Sequence, residues 1–140
     1  MSIVRSRTAI SYMPGPTGDV VAGLLNDGRA ERVARVAVDE ALRRGARLRF
    51  IQVVEAGLSP DEIADADQAT FRAAVRALRG FRGIPCRFEV VTGDPTAMLV
   101  ELAHSASALI VGEGEHDEGL ADRIRVLADC PVVTVPPLVA

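Results

Sequence analysis

From residue 19 to the end of the chain, short apolar runs alternate with longer helical patterns, and this alternation constrains the fold more than any other feature. It predicts five strands and four helices, arranged as successive βαβ units around a parallel sheet. The runs at 20–25 and 108–111 contain no polar residue, so we predict that they are central strands covered on both faces. The second strand, 49–54, contains one polar interruption at Gln52.

The third and fifth strands are predicted to lie at opposite edges of the sheet. In the third strand Arg87 and Glu89 alternate with apolar residues, so we expect the face that carries these two charges to meet water. The fifth strand, Val132–Val135, is short and is followed by two prolines, which end the sheet.

Capping residues predict where the helices begin and end. Ser59 followed by Glu62 predicts a capping box at the start of the second helix. The first helix is predicted over Ala30–Arg44, because the next residue is a glycine that can adopt the left-handed conformation. Asp94 is interpreted as the cap of the third helix, and apolar spacing places the fourth at 120–127.

Composition excludes several classes of function. The 140-residue chain has a formal charge of −3 and scattered basic residues, so nucleic acid is not an expected partner. All 16 basic residues are arginine, which excludes lysine-based phosphate binding and Schiff-base chemistry. No stretch approaches the ~20 apolar residues of a membrane span, so we expect no membrane association and a cytoplasmic location. Cys86 and Cys130 lack the spacing of a metal or redox motif and are interpreted as small buried residues.

Three passages resemble the universal stress protein family: ALRRGARL at 41–48, VTGDP at 91–95 and CPVVTV at 130–135. The resemblance implies an α/β domain of the adenine nucleotide alpha hydrolase-like class. Its open parallel five-stranded sheet would have the order 3-2-1-4-5, with helices on both faces.

The resemblance divides the chain into an N-terminal extension, 1–18, and a universal stress protein-like α/β domain, 19–140. The proline- and glycine-rich residues before position 19 are interpreted as a linker. Two alternatives stay open for the extension: a flexible segment, or an arm that crosses onto a partner subunit.

The resemblance also implies a ligand crevice at the carboxyl ends of the first and fourth strands, where the strand order reverses. ATP-binding members of the family carry an aspartate at the end of the first strand. In this chain Leu25 stands at that position, and Asn26 and Asp27 follow it as possible substitutes.

The phosphate loop departs furthest from the family pattern, which is Gly-x-x-Gly, nine residues, then Gly-Ser or Gly-Thr. Gly112 is present, but Glu115 stands at the second glycine, Gly114 comes one place early, and no Gly-Ser pair follows. Acidic side chains crowd the segment, so we expect a triphosphate to be disfavoured unless a divalent cation intervenes. The acidic residues are Glu113, Glu115, Asp117 and Glu118. Together with His116 they leave open a cation site or a solvated turn.

We therefore predict a non-enzymatic stress-response or signalling module with weak or no ATP binding and no required cofactor. No nucleophile or base is identified, since His104 is interpreted as a helix-end residue. The alternative is an adenine-nucleotide sensor for ATP or AMP. Its contacts would be Asn26, Asp27, the Val53 backbone, Gly112 and Gly114.

The fifth strand is also the predicted dimer edge. None of its residues is charged, so nothing protects its free backbone groups from a partner, and the resemblance implies pairing with a two-fold mate. The edge consists of Val132, Val133, Thr134 and Val135.

Overall fold

A six-stranded parallel sheet forms the centre of the computed structural model, which describes residues 3–6, 18–25, 29–54, 56–113 and 119–136. The strands are β1 (Ile3–Ser6), β2 (Val20–Leu24), β3 (Leu48–Val54), β4 (Cys86–Thr92), β5 (Ala108–Gly112) and β6 (Val132–Val135). The helices are α1 (Ala30–Arg44), α2 (Pro60–Leu78), α3 (Pro95–Leu102) and α4 (Leu120–Leu127).

The strand order in the sheet is β1-β4-β3-β2-β5-β6. The five strands predicted from the sequence are β2 to β6, so the predicted order 3-2-1-4-5 is confirmed. The order reverses between β2 and β5, which pair directly and in parallel.

The extension contributes the additional strand. β1 pairs in parallel with β4 of its own chain, from Ile3 opposite Cys86 to Ser6 opposite Glu89. β4 is therefore the outermost of the five predicted strands but not of the whole sheet. The predicted linker at 14–18 lies outside the described residues, apart from its last position.

The prediction that the charged face of β4 meets water is wrong for Glu89, which is 0% exposed. Its carboxylate accepts a hydrogen bond at 3.0 Å from Nη2 of Arg49 on β3, a side chain that is itself only 14% exposed. Alternation places Glu89 on the same face as Val91, which packs with Leu99 of α3. The ion pair compensates for the loss of water around the carboxylate, which would otherwise cost several kcal/mol.

Apolar layers cover both faces of the sheet, as predicted. On one face α1 and α2 pack over a cluster that includes Leu24, Phe50, Leu78, Phe88 and Ile110. On the other face α3 and α4 pack over Val21, Ile51, Leu99, Leu109 and Ile124.

The predicted caps are confirmed where α2 and α3 begin. The Glu62 amide donates to Ser59 Oγ at 3.2 Å while the Ser59 amide donates to Glu62 Oε1 at 3.0 Å. The Ala97 amide donates to Asp94 Oδ2 at 3.0 Å. Among the helices of the described ranges, none is both long enough and apolar enough to cross a bilayer.

Candidate functional site

The carboxyl ends of β2, β3 and β5 meet at one edge of the sheet, around the point where the strand order reverses. β2 and β5 pair from Val20 opposite Ala108, and continuing that register places Leu24 beside Gly112. Leu24 pairs with Gln52 on its other side, so Val53 follows at the level of Leu25. The structure therefore brings Val53 and Gly112 to the same crevice.

Three of the five predicted nucleotide contacts lie outside the described residues: Asn26, Asp27 and Gly114. The connection from β5 to α4 comprises residues 113–119, because β5 ends at Gly112 and α4 begins at Leu120. Most of the acidic segment, including His116, also lies outside the described residues, so the hypothesis of a cation site there stays a prediction.

Gly112 has a packing role that the sequence does not indicate. A Cβ atom at this position would lie 3.3 Å from Cγ2 of Val33 on α1 and 3.9 Å from Nε of Arg29. The first turn of α1 thus approaches the end of β5 closely. A branched residue at position 112 would contact α1 as well as any ligand. A loss of ligand binding in such a variant would therefore not identify Gly112 as a ligand contact.

Arg29 is a candidate site residue that sequence reasoning missed. It precedes α1 and is half-buried, and its Nη1 donates to the carbonyl oxygen of Glu113 at 2.7 Å. Glu113 directly follows β5, so this bond fixes a guanidinium at the crevice edge of the sheet.

Arg32 makes the equivalent contact one turn further along α1. Its Nη1 donates to the carbonyl oxygen of Pro136, directly after β6, at 2.6 Å. The signal in the sequence is the placement of both arginines at the start of a helix, where the helix dipole disfavours cations. The hydrogen bonds of the two arginines to the carbonyl oxygens of Glu113 and Pro136 offset this unfavourable interaction with the dipole.

Other chemically suggestive groups lie away from this crevice or lack reactivity. His104 follows α3 at the amino-terminal edge of the sheet, where Nδ1 lies 2.7 Å from Asp129 Oδ2 with both side chains largely exposed. Burial raises the pKa of the Cys86 thiol and of the Cys130 thiol, which disfavours a nucleophilic thiolate. Within the described ranges, no three potential metal ligands of the His, Cys, Asp and Glu types cluster.

The predicted dimer edge is the last strand of the sheet. β6 pairs with β5 on one side, and within the described chain no strand pairs with its other side. The adjacent end of α4 carries two exposed apolar side chains, Val126 at 83% and Leu127 at 57%. Arg125 Nη2 donates to Thr134 Oγ1 at 2.8 Å, which holds this end of α4 beside β6.

No family model matches the chain. Two curated relatives, universal stress proteins from two strains of Mycobacterium tuberculosis, are each 30% identical to it over 139 residues. The match covers 89% of this chain and 50% of each relative, so the chain spans about half the length of the curated relatives it matches.

Solved universal stress proteins share the fold. The Archaeoglobus fulgidus protein in complex with dAMP has a TM-score of 0.68 and 24% identity, with 84% of this chain and 96% of that chain covered. A family member from Arabidopsis thaliana with AMP bound has a TM-score of 0.61 and 17% identity, with 86% and 92% covered.

Proposed function

The chain belongs to the universal stress protein family, and from that premise we propose that it is a non-enzymatic stress-response or signalling module that binds ATP weakly or not at all. The observation that carries this proposal is the connection between β5 and α4. Residues 113–119 are too few to hold the glycine pattern with which ATP-binding members surround the phosphates. Fewer backbone amides are then available to a triphosphate.

Charge supports the same proposal. The segment that follows Gly112 contains four acidic residues at 113, 115, 117 and 118. A pair of like charges ~4 Å apart costs about 1 kcal/mol in bulk water and about 4 kcal/mol near a protein surface. A triphosphate brings more negative charge to this segment than a monophosphate does, so ATP loses more binding energy than AMP.

A second candidate function, an adenine-mononucleotide sensor, is favoured by the half-buried guanidinium of Arg29 at the crevice. One guanidinium can bind one phosphate group through two parallel hydrogen bonds. The complexes of related folds with dAMP and AMP support a ligand of this size. In this candidate AMP replaces ATP as the ligand.

ATP with magnesium is expected to stabilise the protein little. A ligand present at its dissociation constant contributes only RT ln 2, or about 0.4 kcal/mol, which corresponds to a rise in Tm of about 2 °C for a chain of this size. Thermal unfolding with ~1 mM ATP and magnesium checks this, with AMP at the same concentration as the comparison. A Tm that rises by about 10 °C with ATP, or micromolar ATP binding by calorimetry, would contradict the proposal.

A non-enzymatic role and a cytoplasmic location are parts of the same proposal. The exposed position of His104 and the raised thiol pKa values support the first, because they offer no activated nucleophile. The cytoplasmic location is supported by the two cysteines, which are both free thiols, as is usual in reducing compartments. Release of phosphate from ATP above the rate in buffer would contradict the non-enzymatic role.

We also propose that two copies of the chain pair through β6. The open edge of this strand and the exposed apolar residues Val126 and Leu127 beside it support such an interface. The carbonyl oxygens of Pro131 and Val135 accept bonds from Leu109 and Glu113, at the level of β5. The backbone N–H and C=O groups of successive strand residues point to alternate sides of the strand. The backbone groups of Val133 therefore also point towards β5, whereas those of Val132 and Thr134 point away from it, to the open edge.

Thr134→Pro is therefore expected to weaken the dimer, because it removes an outward N–H from each copy. Two lost hydrogen bonds at about 1 kcal/mol each raise the dimer Kd about 30-fold. Thr134→Ala is the matched control, since it removes the contact with Arg125 but keeps the amide. Sedimentation velocity at ~50 µM protein measures both variants. An unaltered protein that is monomeric at this concentration contradicts the β6 dimer.

A further inference from the structure

We infer that Arg29 and Arg32 together form a binding site for a single phosphate group, and that this pair selects a nucleoside monophosphate over a triphosphate. The inference rests on the second candidate function, the adenine-mononucleotide sensor. It assigns the phosphate contact to the arginine that precedes α1 and to one in its first turn, in place of the shortened glycine loop.

The two guanidinium groups contact residues that follow neighbouring strands, β5 and β6. Residues three apart on a helix share one side of it, and Arg29 and Arg32 have this spacing. Their acceptors also lie together, because Glu113 donates its amide to the Val135 carbonyl at 2.8 Å while its own carbonyl faces Arg29. The Pro136 carbonyl, which Arg32 contacts, belongs to the residue that directly follows Val135 at the end of β6.

The pair lies at the crevice and not elsewhere on the surface. The Cβ position of Gly112 is 3.9 Å from Arg29 Nε, and Gly112 ends the strand that pairs with β2 at the reversal of strand order. The ends of the two guanidinium groups are held against the carboxyl ends of β5 and β6. A phosphate bound here would therefore lie within reach of a base placed near Val53.

The chemistry of the pair suits a monophosphate. A guanidinium is a planar fork of N–H donors that matches phosphate oxygens in pairs, and it stays charged at every physiological pH. Within the described part of the chain, no carboxylate forms a salt bridge with Arg32. Guanidinium groups suit a phosphate monoester dianion in charge and in shape, whereas the four acidic residues between positions 113 and 118 oppose the extra negative charge of further phosphate groups.

The placement is unfavourable for α1 on its own. Cations at the start of a helix oppose its dipole, and among the described residues the side chain of Arg29, the N-cap residue of α1, forms no capping hydrogen bond. A purely structural role is the competing explanation, in which the two bonds to carbonyl oxygens only attach α1 to the sheet. Only a phosphate site predicts that loss of either arginine weakens the binding of AMP and leaves the binding of adenosine unchanged.

Calorimetric titrations with AMP and adenosine distinguish them. The unaltered protein is expected to bind AMP more tightly than adenosine. Arg29→Ala and Arg32→Ala are each expected to weaken AMP binding about 10- to 100-fold, the loss of a hydrogen bond to a charged group, and to leave adenosine binding unchanged. Arg35→Ala is the matched control, because it removes an exposed arginine of α1 that pairs with Glu31.

The outcomes separate the inference from the function on which it rests. If the unaltered protein binds AMP and both alanine variants bind it equally well, the arginine pair is wrong and the mononucleotide sensor stands. If neither AMP nor adenosine binds, the sensor fails, and inorganic phosphate is titrated while the arginine Nε–Hε resonances are followed by NMR. Shifts at Arg29 and Arg32 but not at Arg35 then support the phosphate site, and unchanged resonances overturn it.

Discussion

Arg49→Met is expected to lower the free energy of unfolding by about 3–5 kcal/mol, because it leaves the carboxylate of Glu89 buried without its partner. Glu89 is fully buried between the sheet and the layer that contains α3, and Arg49 donates to both of its oxygens. Denaturation by urea, followed by circular dichroism, measures the change. A loss below about 1 kcal/mol would show that the pair contributes like an exposed salt bridge.

The double variant Arg49→Met with Glu89→Leu is the control. Replacing both partners of a buried ion pair with apolar residues of similar volume is often neutral or stabilising. We therefore expect the double variant to be more stable than Arg49→Met alone. If the double variant loses as much stability as the single one, packing and not charge burial explains the effect.

Phe88→Ala is expected to lower the free energy of unfolding by about 3–5 kcal/mol, the usual range for a large buried aromatic residue. Phe88 is fully buried in β4, lies opposite Phe50 in β3 and meets Phe71 of α2 edge-to-face, with ring centroids 5.2 Å apart.

Phe81→Ala is the matched control for this substitution. Phe81 follows α2 and is 36% exposed, so its removal is expected to lower the free energy of unfolding by only about 1–2 kcal/mol, less than that of Phe88. Urea denaturation of both variants provides the comparison. Equal losses would contradict the position of Phe88 at the centre of the layer between the sheet and α2.

The sequence was sufficient to predict most of the elements, because their signals are local. The bounds of α1 match the prediction from Ala30 to Arg44, and Gly45 ends the helix with a φ of 62°. The burial of Glu89 could not be predicted from the local pattern. Alternation predicts the face of the sheet on which Glu89 lies, but only the packing of α3 over that face excludes water from it. β1 was missed for a related reason, since its only described pairing is with β4, some 80 residues away.

The candidate site was predictable in part. Parallel topology alone brings Val53 and Gly112 to one edge, because the carboxyl ends of parallel strands lie together. The contacts of Arg29 and Arg32 were not predictable, because their acceptors lie 84 and 104 residues away in the chain. Nothing in the spacing of the arginines indicates which carbonyl oxygens they reach.

We propose above all that the crevice of this protein does not hold ATP tightly. Native mass spectrometry of the protein in equimolar AMP and ATP, with magnesium present, tests this proposal most directly. We expect a spectrum in which free protein and the AMP adduct dominate and the ATP adduct is minor or absent. A spectrum dominated by the ATP adduct would contradict it.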